Sequence, residues 1–356
     1  MCSQEVFRWP PPTPDFAGYN RLTMDRFRAF LLTDAGDPRG QFVTRTLDEI
    51  DAGDVVVKVA FSDINYKDAL AATGRGRILR RPSCIGGIDF SGVVHASSDP
   101  RFVTGDQVLA VGCGLGVEHD GGYAEYARVP ANWLIRLPPT MTLWEAMALG
   151  TAGFTAALAV MRMELNGLRA ANGPVIVSGA TGGVGSIAIA ALARLGHRVI
   201  ALTGKPDQRA YLESIGAAEV MSRKDLDLTQ IKPLGKATWG GGVDNLGGNV
   251  LAWMASTMKI NGVIASIGLA QDAALHTTVM PFILRGVSLL GISSTDGPSS
   301  EQRLDAWRRL ATDLRPSMLD QITETIPFDA LPGAFQRFVD GQARGRVVVR
   351  IGGEQP

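Results

Sequence analysis

Short apolar stretches separated by glycine-rich turns occupy the first part of the chain, from about residue 28 to residue 137. Their composition predicts strands at 29–32, 54–61, 88–95 and 107–111. Residues 121–130 have the pattern of a hairpin arm. We therefore expect a β-rich, barrel-like domain in this part of the chain.

The pattern changes at about Thr142, which can cap a helix because Glu145 stands at the capping-box spacing. A helix rich in Ala, Leu and Met is predicted from there to about Met163. Apolar strands then alternate with helices, which is typical of a parallel sheet covered on both faces. The strands are predicted at 174–178, 198–203, 219–222, 242–246, 262–268 and 286–293, and helices at 183–196 and 206–215. A helix near 302–314 and a strand at 346–351, which could return to the first domain, complete the pattern.

Length and composition agree with two globular domains, since 356 residues exceed the roughly 150 of a typical domain. Hydrophobic residues make up 46% and the formal net charge is +0, which excludes a disordered chain and argues against general binding of nucleic acid. We expect no signal peptide and no membrane-spanning helix. The cysteines, Cys2, Cys84 and Cys113, are too few for a disulfide framework, so the cytoplasm is the simplest compartment.

A glycine-rich turn, Gly-Ala-Thr-Gly-Gly-Val-Gly at 179–185, joins the first predicted strand of the second domain to its helix. Small residues let the backbone approach a pyrophosphate, and a helix N-terminus offers unpaired N–H groups to it. A tight turn without a ligand is the alternative. The strand–turn–helix context favours a dinucleotide site.

The end of the next strand indicates which dinucleotide is bound, because NAD-binding proteins usually have an acidic residue there. This chain has Thr203, Gly204 and Lys205 instead. A hydroxyl and an ammonium group can bind a 2′-phosphate, and Arg223 could add a second cation. Lys205 could also be an ordinary solvated lysine, and Asp207 leaves NADH open. We predict NADPH as the cofactor.

A β-rich domain followed by a dinucleotide-binding domain resembles the medium-chain dehydrogenase/reductase superfamily. Zinc enzymes of that superfamily use a Gly-His-Glu segment, where this chain has Gly87-Ile88-Asp89. Residues 62–65 contain no cysteine, and the four histidines share no ligand spacing. These are His95, His119, His197 and His276. We therefore expect no metal, and hydride transfer to a carbon–carbon double bond conjugated to a carbonyl.

The segment Asn65-Tyr66-Lys67-Asp68 is the candidate catalytic segment. In the zinc-free reductases of the superfamily, a similar Asn-Tyr-x-Asp motif lies beside the nicotinamide. The Tyr66 hydroxyl can donate a proton or a hydrogen bond to an enolate or thioester oxygen. Asn65 and Asp68 would position it, the backbone or the cofactor carboxamide. The alternative is that Tyr66 packs while Asn65 and Asp68 cap a turn.

Further segments, at 65–70, 88–92, 99–102, 150–156 and 278–285, are similar to those of the acrylyl-CoA reductase (NADPH) family, close to quinone-oxidoreductase-like proteins. The resemblance implies an α/β fold, with a GroES-like β-barrel domain and a Rossmann-like doubly wound parallel sheet domain that binds NADPH. The first would comprise residues 25–149 and 286–356, the second residues 150–285, and residues 1–24 would be an irregular N-terminal extension.

The same resemblance implies the reduction of acryloyl-CoA to propanoyl-CoA by a homodimer. An apolar strand at 286–293, last in the sheet, also favours a dimer. The positions that match NADPH contacts of the family are Tyr66, Thr181, Gly182, Gly183, Val184, Thr203, Gly204, Lys205, Arg223, Leu269, Ile283 and Arg346.

A basic loop at 75–81 is the candidate for binding the phosphates of coenzyme A. Its cations are Arg75, Arg77, Arg80 and Arg81. Ion pairs to acids such as Asp63 or Asp99, or simple solvation, are the alternative. If the loop is not a clamp, an NADPH:quinone or enone oxidoreductase fits equally well. A cofactor-binding protein without catalysis would not need residues 65–68.

Overall fold

Sixteen strands form three sheets in the computed structural model, which describes residues 26–36, 39–295 and 297–352. The predicted extension at 1–24 lies outside these residues. The strands are β1 (Phe27–Thr33), β2 (Gly40–Arg45), β3 (Val55–Asp63), β4 (Ser83–Ile85), β5 (Asp89–Ser97), β6 (Gln107–Val111), β7 (Tyr126–Val129), β8 (Ile135–Arg136), β9 (Val175–Ser178), β10 (Val199–Thr203), β11 (Glu219–Ser222), β12 (Trp239–Asp244), β13 (Met258–Ser266), β14 (Ser288–Gly291), β15 (Thr323–Pro327) and β16 (Arg346–Arg350).

Nine α-helices accompany the strands in the described residues. They are α1 (Tyr66–Thr73), α2 (Leu143–Leu165), α3 (Gly183–Arg194), α4 (Arg209–Ser214), α5 (Gly248–Ser256), α6 (Met280–Arg285), α7 (Ser300–Leu310), α8 (Leu319–Ile322) and α9 (Leu331–Val339). Short 3-10 turns follow β10 and β11, at Pro206–Gln208 and Arg223–Asp225.

The second domain contains a six-stranded parallel sheet in the order β11-β10-β9-β12-β13-β14. Alternate side chains of β9 enter two different cores. Val175 and Val177 pack in the core that contains α2 and α3, while Ile176 packs in the core that contains α5. Helices therefore cover both faces, and the predicted doubly wound parallel sheet is confirmed.

The first domain is built from a seven-stranded sheet and a three-stranded sheet, β2-β1-β4. In the larger sheet, β16 pairs with β15 and lies antiparallel to β3, so the last strand returns to the first domain as predicted. The predicted hairpin arm at 121–130 is wrong. Only β7 forms there, and it pairs with β3 rather than with a neighbouring strand of its own segment.

Two boundaries differ from the prediction. We assigned residues 286–356 to the first domain, but β14 pairs with β13, so the parallel sheet extends to Gly291. The predicted helix at 206–215 consists of a 3-10 turn followed by α4. As predicted, β14 is the last strand of its sheet.

Helix α2 begins as the sequence predicts, because the Thr142 hydroxyl accepts a hydrogen bond from Glu145 N at 3.1 Å. It is long and apolar enough to cross a membrane by composition alone, but 78% of its apolar window is buried inside the protein. Its regular geometry is interrupted at Gly150, where φ is 49°. A Cβ there would lie 2.0 Å from the Asp63 carboxylate, so only glycine fits this kink beside the first domain.

Candidate active site

The glycine-rich turn follows β9 and leads directly into α3, whose N-cap is Gly182. A Cβ on Gly185 would lie 2.4 Å from the Gly179 carbonyl oxygen, so the sharp turn requires glycine there. The N–H groups of the first turn of a helix have no partner within the helix. The turn therefore offers a close backbone approach and unpaired donors, and it fits a pyrophosphate.

The predicted 2′-phosphate residues come together at the ends of β10 and β11. Thr203 lies opposite Ser222, the residue before Arg223. The Arg223 guanidinium lies 3.3 Å from the point where a Cβ of Gly204 would be, so the absent side chain leaves the cation room beside the turn. Two of the predicted cofactor residues, Gly204 and Arg223, thus form one edge of the site.

Thr203 and Lys205 are more constrained than the sequence suggests. Thr203 is buried and its hydroxyl accepts a hydrogen bond from Lys205 N at 2.9 Å, so it holds the turn in shape. Lys205 Nζ donates to the Ala343 carbonyl at 2.8 Å. Burial lowers the pKa of Lys205, with Asp207 opposing the shift. Lys205 is not the solvated lysine of the alternative interpretation.

The candidate catalytic segment forms the start of α1. Asp68 accepts hydrogen bonds from Asn65 N at 2.8 Å and from Ile88 N at 3.1 Å, which fixes the first turn of the helix. Burial raises the pKa of Asp68 to about 7, although these two bonds oppose the shift. Tyr66 is the exposed member of the segment, with 47% of its surface accessible.

Asn65 belongs to a buried polar network. Its Nδ2 donates to Asp63 Oδ1 at 2.6 Å and to Asp89 Oδ2 at 2.9 Å, while its Oδ1 accepts from Arg346 Nη1 at 3.2 Å. Arg346 Nη2 lies 2.7 Å from Asp63 Oδ2. Burial raises the pKa of Asp63 well above its usual value; Asp89 adds to the shift and Arg346 opposes it.

These positions agree with the positioning role predicted for Asn65 and Asp68. Both side chains are buried. They cap and anchor the helix that presents Tyr66, but Tyr66 itself is exposed rather than packed as the alternative interpretation required. They are positioning residues, and Tyr66 is the member of the segment that can meet a substrate.

Arg346 was predicted to contact NADPH, and the structure gives its side chain other partners. The guanidinium is buried against Asp63 and Asn65, and its Nε donates to the Ala148 carbonyl at 3.1 Å. Its Cδ would lie 2.9 Å from a Cβ on Gly183. Arg346 therefore runs beside the glycine-rich turn and joins it to the start of α1.

Two of the remaining cofactor predictions lie on the surface. Leu269, after β13, is 67% exposed, and Ile283, on α6, is 71% exposed. Thr181, Gly182, Gly183 and Val184 all lie in the turn before α3 or in its first residues. Contacts of these residues with NADPH remain predictions.

Sequence reasoning missed three residues of the buried network, Asp63, Asp89 and Thr151. Asp89 accepts hydrogen bonds from Thr151 N and Thr151 Oγ1, both at 2.6 Å, so it links β5 to the kink of α2. The only signal was Asp89 itself, in the segment where zinc enzymes have Gly-His-Glu. Asp63 and Thr151 carried no signal that separates them from ordinary polar residues.

The basic loop is largely neutralised by ion pairs. Arg75 lies 3.3 Å from Asp340, Arg80 lies 3.0 Å from Glu118, and Arg81 lies 2.5 Å from Asp51 and 3.5 Å from Asp120. The alternative of ion pairing is confirmed for these three, although the partners are not the predicted Asp63 and Asp99. Arg77 is exposed and has no carboxylate within ion-pair distance in the described part of the chain.

Among residues 26–36, 39–295 and 297–352, no group of three or more His, Cys, Asp or Glu side chains is arranged to hold a metal ion.

Family comparisons agree with this architecture. Residues 51–139 match the alcohol dehydrogenase GroES-like domain and residues 183–312 match the zinc-binding dehydrogenase domain. A probable acrylyl-CoA reductase, AcuI, from Escherichia coli is 43% identical over 90% of this chain and 99% of its own length. The chain belongs to the acrylyl-CoA reductase family of the medium-chain dehydrogenase/reductase superfamily.

Members of the family with solved structures share the fold over nearly their whole length. The Salmonella enterica oxidoreductase YhdH, solved in complex with NADP, is 44% identical over 91% of this chain and 99% of its own, with a TM-score of 0.86. Bacillus subtilis YhfP, named a putative quinone oxidoreductase, is 45% identical over 86% of this chain and 93% of its own length. Its structure, with NAD bound, covers 92% of this chain and 100% of its own with a TM-score of 0.89.

This acrylyl-CoA reductase family member is therefore an oxidoreductase with a GroES-like domain and a Rossmann-like domain. The absence of an acid directly after β10 and the cations Lys205 and Arg223 predicted NADPH, and two relatives were solved with NADP or NADPH bound. The glycine-rich turn would hold the pyrophosphate, and the edge formed by Gly204 and Arg223 would hold the 2′-phosphate.

Proposed function

We propose that this protein reduces the carbon–carbon double bond of acryloyl-CoA to give propanoyl-CoA, at a site that uses no metal. The observation that carries the proposal is the position of Arg346, which contacts Asn65 at 3.2 Å and runs beside Gly183. This contact brings the start of α1, with the exposed Tyr66, next to the phosphate-binding turn. NADPH bound at that turn and the Tyr66 hydroxyl would then lie close to each other.

When bound, NADPH supplies a hydride, which an alkene conjugated to a thioester carbonyl accepts at its terminal carbon. The chain's task is to stabilise the charge that develops on the thioester oxygen and to deliver a proton to the neighbouring carbon. The Tyr66 hydroxyl can do either. One hydride and one proton are consumed for each double bond reduced.

The buried network below Tyr66 has a positioning task. Asp68 fixes the first turn of α1, and Asn65 is held by Asp63, Asp89 and Arg346. Because these groups are buried and hydrogen-bonded, they hold Tyr66 without reorganising during the reaction. Fixed polar groups of this kind lower the cost of stabilising charge in a transition state.

An NADPH:quinone or enone oxidoreductase is the second candidate. Ion pairs neutralise most of the basic loop, which weakens its case as a clamp for coenzyme A. The Bacillus subtilis relative is named a putative quinone oxidoreductase. The quinone function would use the same Tyr66 and the same cofactor site.

The test compares NADPH oxidation with acryloyl-CoA, with the free acid acrylate and with a small quinone. We expect acryloyl-CoA to have the highest kcat/KM and to yield propanoyl-CoA. Turnover of the quinone without turnover of the thioester would favour the second candidate. Dialysis against a chelator should leave the rate unchanged, because the proposal needs no metal.

We also propose an oligomeric state and a cellular location for the protein. The exposed edge strand β14 and the apolar residues Ile283 and Leu284 of α6 favour a homodimer. We propose that the dimer acts in the cytoplasm, without membrane or nucleic-acid partners. Size-exclusion chromatography with light scattering tests the assembly directly.

A further inference from the structure

The segment that leads into β16, residues 342–345, crosses from the first domain to the cofactor site of the second. Gly345 N donates to the Thr181 carbonyl of the glycine-rich turn at 2.9 Å. Two residues earlier, the Ala343 carbonyl accepts from Lys205 Nζ at 2.8 Å. This crossing segment is thus fixed at one end to the pyrophosphate turn and at the other to a cation of the 2′-phosphate site.

Arg344 lies between those two contacts. It is exposed, and its guanidinium lies 4.6 Å from the centre of the Tyr211 ring. A long contact of 3.4 Å joins its Nη1 to Gln208 Oε1. In the described part of the chain, no carboxylate lies within ion-pair distance of it, whereas its neighbour Arg337 is paired with Glu324.

The contact with Gln208 places the guanidinium at the predicted 2′-phosphate site. Gln208 ends the 3-10 turn that begins directly after Lys205. The other cation of the site, Arg223, lies beside Gly204, the residue before Lys205. Because Lys205 Nζ contacts the carbonyl of Ala343, the residue before Arg344, an anion bound beside Lys205 would lie within the reach of the Arg344 side chain.

We propose that Arg344 is a specificity-determining residue that binds the 2′-phosphate of NADPH from the first domain. Lys205 already donates to a carbonyl and offers a point charge, whereas an arginine presents a planar fork that can bind phosphate through two N–H groups. Stacking on Tyr211 holds the guanidinium near the site before the cofactor binds. The inference concerns the cofactor and does not depend on which substrate is reduced.

The test uses Arg344→Gln in the full-length protein and two adenosine ligands that lack the nicotinamide. Adenosine 2′,5′-bisphosphate carries the 2′-phosphate, and 5′-AMP does not. Isothermal titration calorimetry should show about a tenfold weaker affinity of Arg344→Gln for the bisphosphate, the cost of one charge-assisted contact. The affinity for 5′-AMP should not change.

Two further variants serve as controls. Arg337→Gln removes a nearby arginine that is already paired with Glu324, so its affinity for both ligands should equal that of the wild type. Arg344→Lys should recover part of the loss, because it keeps the charge but not the fork. A wild-type affinity of Arg344→Gln for the bisphosphate would overturn the proposal. So would an equal loss for both ligands, which would indicate a change in the shape of the site.

Discussion

The guanidinium of Arg346 lies 2.7 Å from the carboxylate of Asp63, and both side chains are buried almost completely. The contact joins β16 to the end of β3, immediately before the segment that carries Tyr66. Its closeness to Gly150 also explains why the residue at the kink of α2 is glycine, since no side chain fits between the ion pair and that helix. The buried Arg346 guanidinium therefore contacts residues that are distant from it in sequence: Asp63, Asn65 and Ala148.

Arg346→Met should reduce the free energy of unfolding by about 3–5 kcal/mol, because it leaves the Asp63 carboxylate buried without its partner. Urea unfolding followed by circular dichroism measures the effect. The double variant Asp63→Asn/Arg346→Met should recover part of the loss, since it removes both charges. Unchanged stability of Arg346→Met would contradict the structural role that we assign to the pair.

Asp68 should make stability depend on pH. Its pKa is raised to about 7, so the folded protein retains a proton that the unfolded chain, at its usual value of 3.8, releases. The folded state then binds more protons between these pH values, and stability falls as pH rises through that interval. Asp68→Asn does not titrate and lacks this decline.

The measurement is the difference in the free energy of unfolding between Asp68→Asn and the wild type at pH 5 and pH 7. We expect the difference to move in favour of the variant by about 2 kcal/mol over that interval, whatever the variant costs overall. A difference that is constant with pH would show that Asp68 is ionised in the folded protein.

Lys205→Ala should lower the preference for NADPH over NADH. The KM for NADPH should rise about tenfold, because a charge-assisted contact with the 2′-phosphate is lost. The KM for NADH should change little. Lys224→Ala is the matched control, since Lys224 is an exposed lysine next to Arg223. If Lys205→Ala raised the KM for both cofactors equally, the role of Lys205 would be limited to its hydrogen bond with the Ala343 carbonyl.

Arg77→Ala should raise the KM for a coenzyme A thioester severalfold, because Arg77 is the cation of the basic loop that has no acidic partner in the described residues. Arg80→Ala should have a smaller effect, since Arg80 is already paired with Glu118 at 3.0 Å. The KM for a small quinone should be insensitive to both. If neither variant changes the KM for the thioester, the loop does not bind coenzyme A.

Most of the fold follows from local patterns in the sequence. The apolar strands β9 and β10, the glycine-rich turn and the capped start of α2 each carry their signal within a few residues, and the structure has them as predicted. Strand β2 was missed because its residues are half-buried or exposed, so it lacks an apolar run. Strand β4 was missed because it has only three residues.

The site was less predictable because its decisive contacts join distant residues. Asp63, Asp89 and Arg346 meet only after β16 has returned to β3, and no local pattern marks that meeting. The ion pairs of the basic loop have the same origin, since Arg75 finds its partner at Asp340. Residue type and spacing identified the segment at 65–68. Only the folded structure shows that Tyr66 is exposed while Asn65 and Asp68 are buried.

The account is tested most directly by the rate of NADPH oxidation with acryloyl-CoA, measured for the wild type and for Tyr66→Phe. We expect the wild type to form propanoyl-CoA with a higher kcat/KM than for a small quinone. Turnover by Tyr66→Phe should be at least about tenfold lower, with cofactor binding retained. Absence of NADPH oxidation with acryloyl-CoA, together with rapid oxidation by a quinone, would contradict the account.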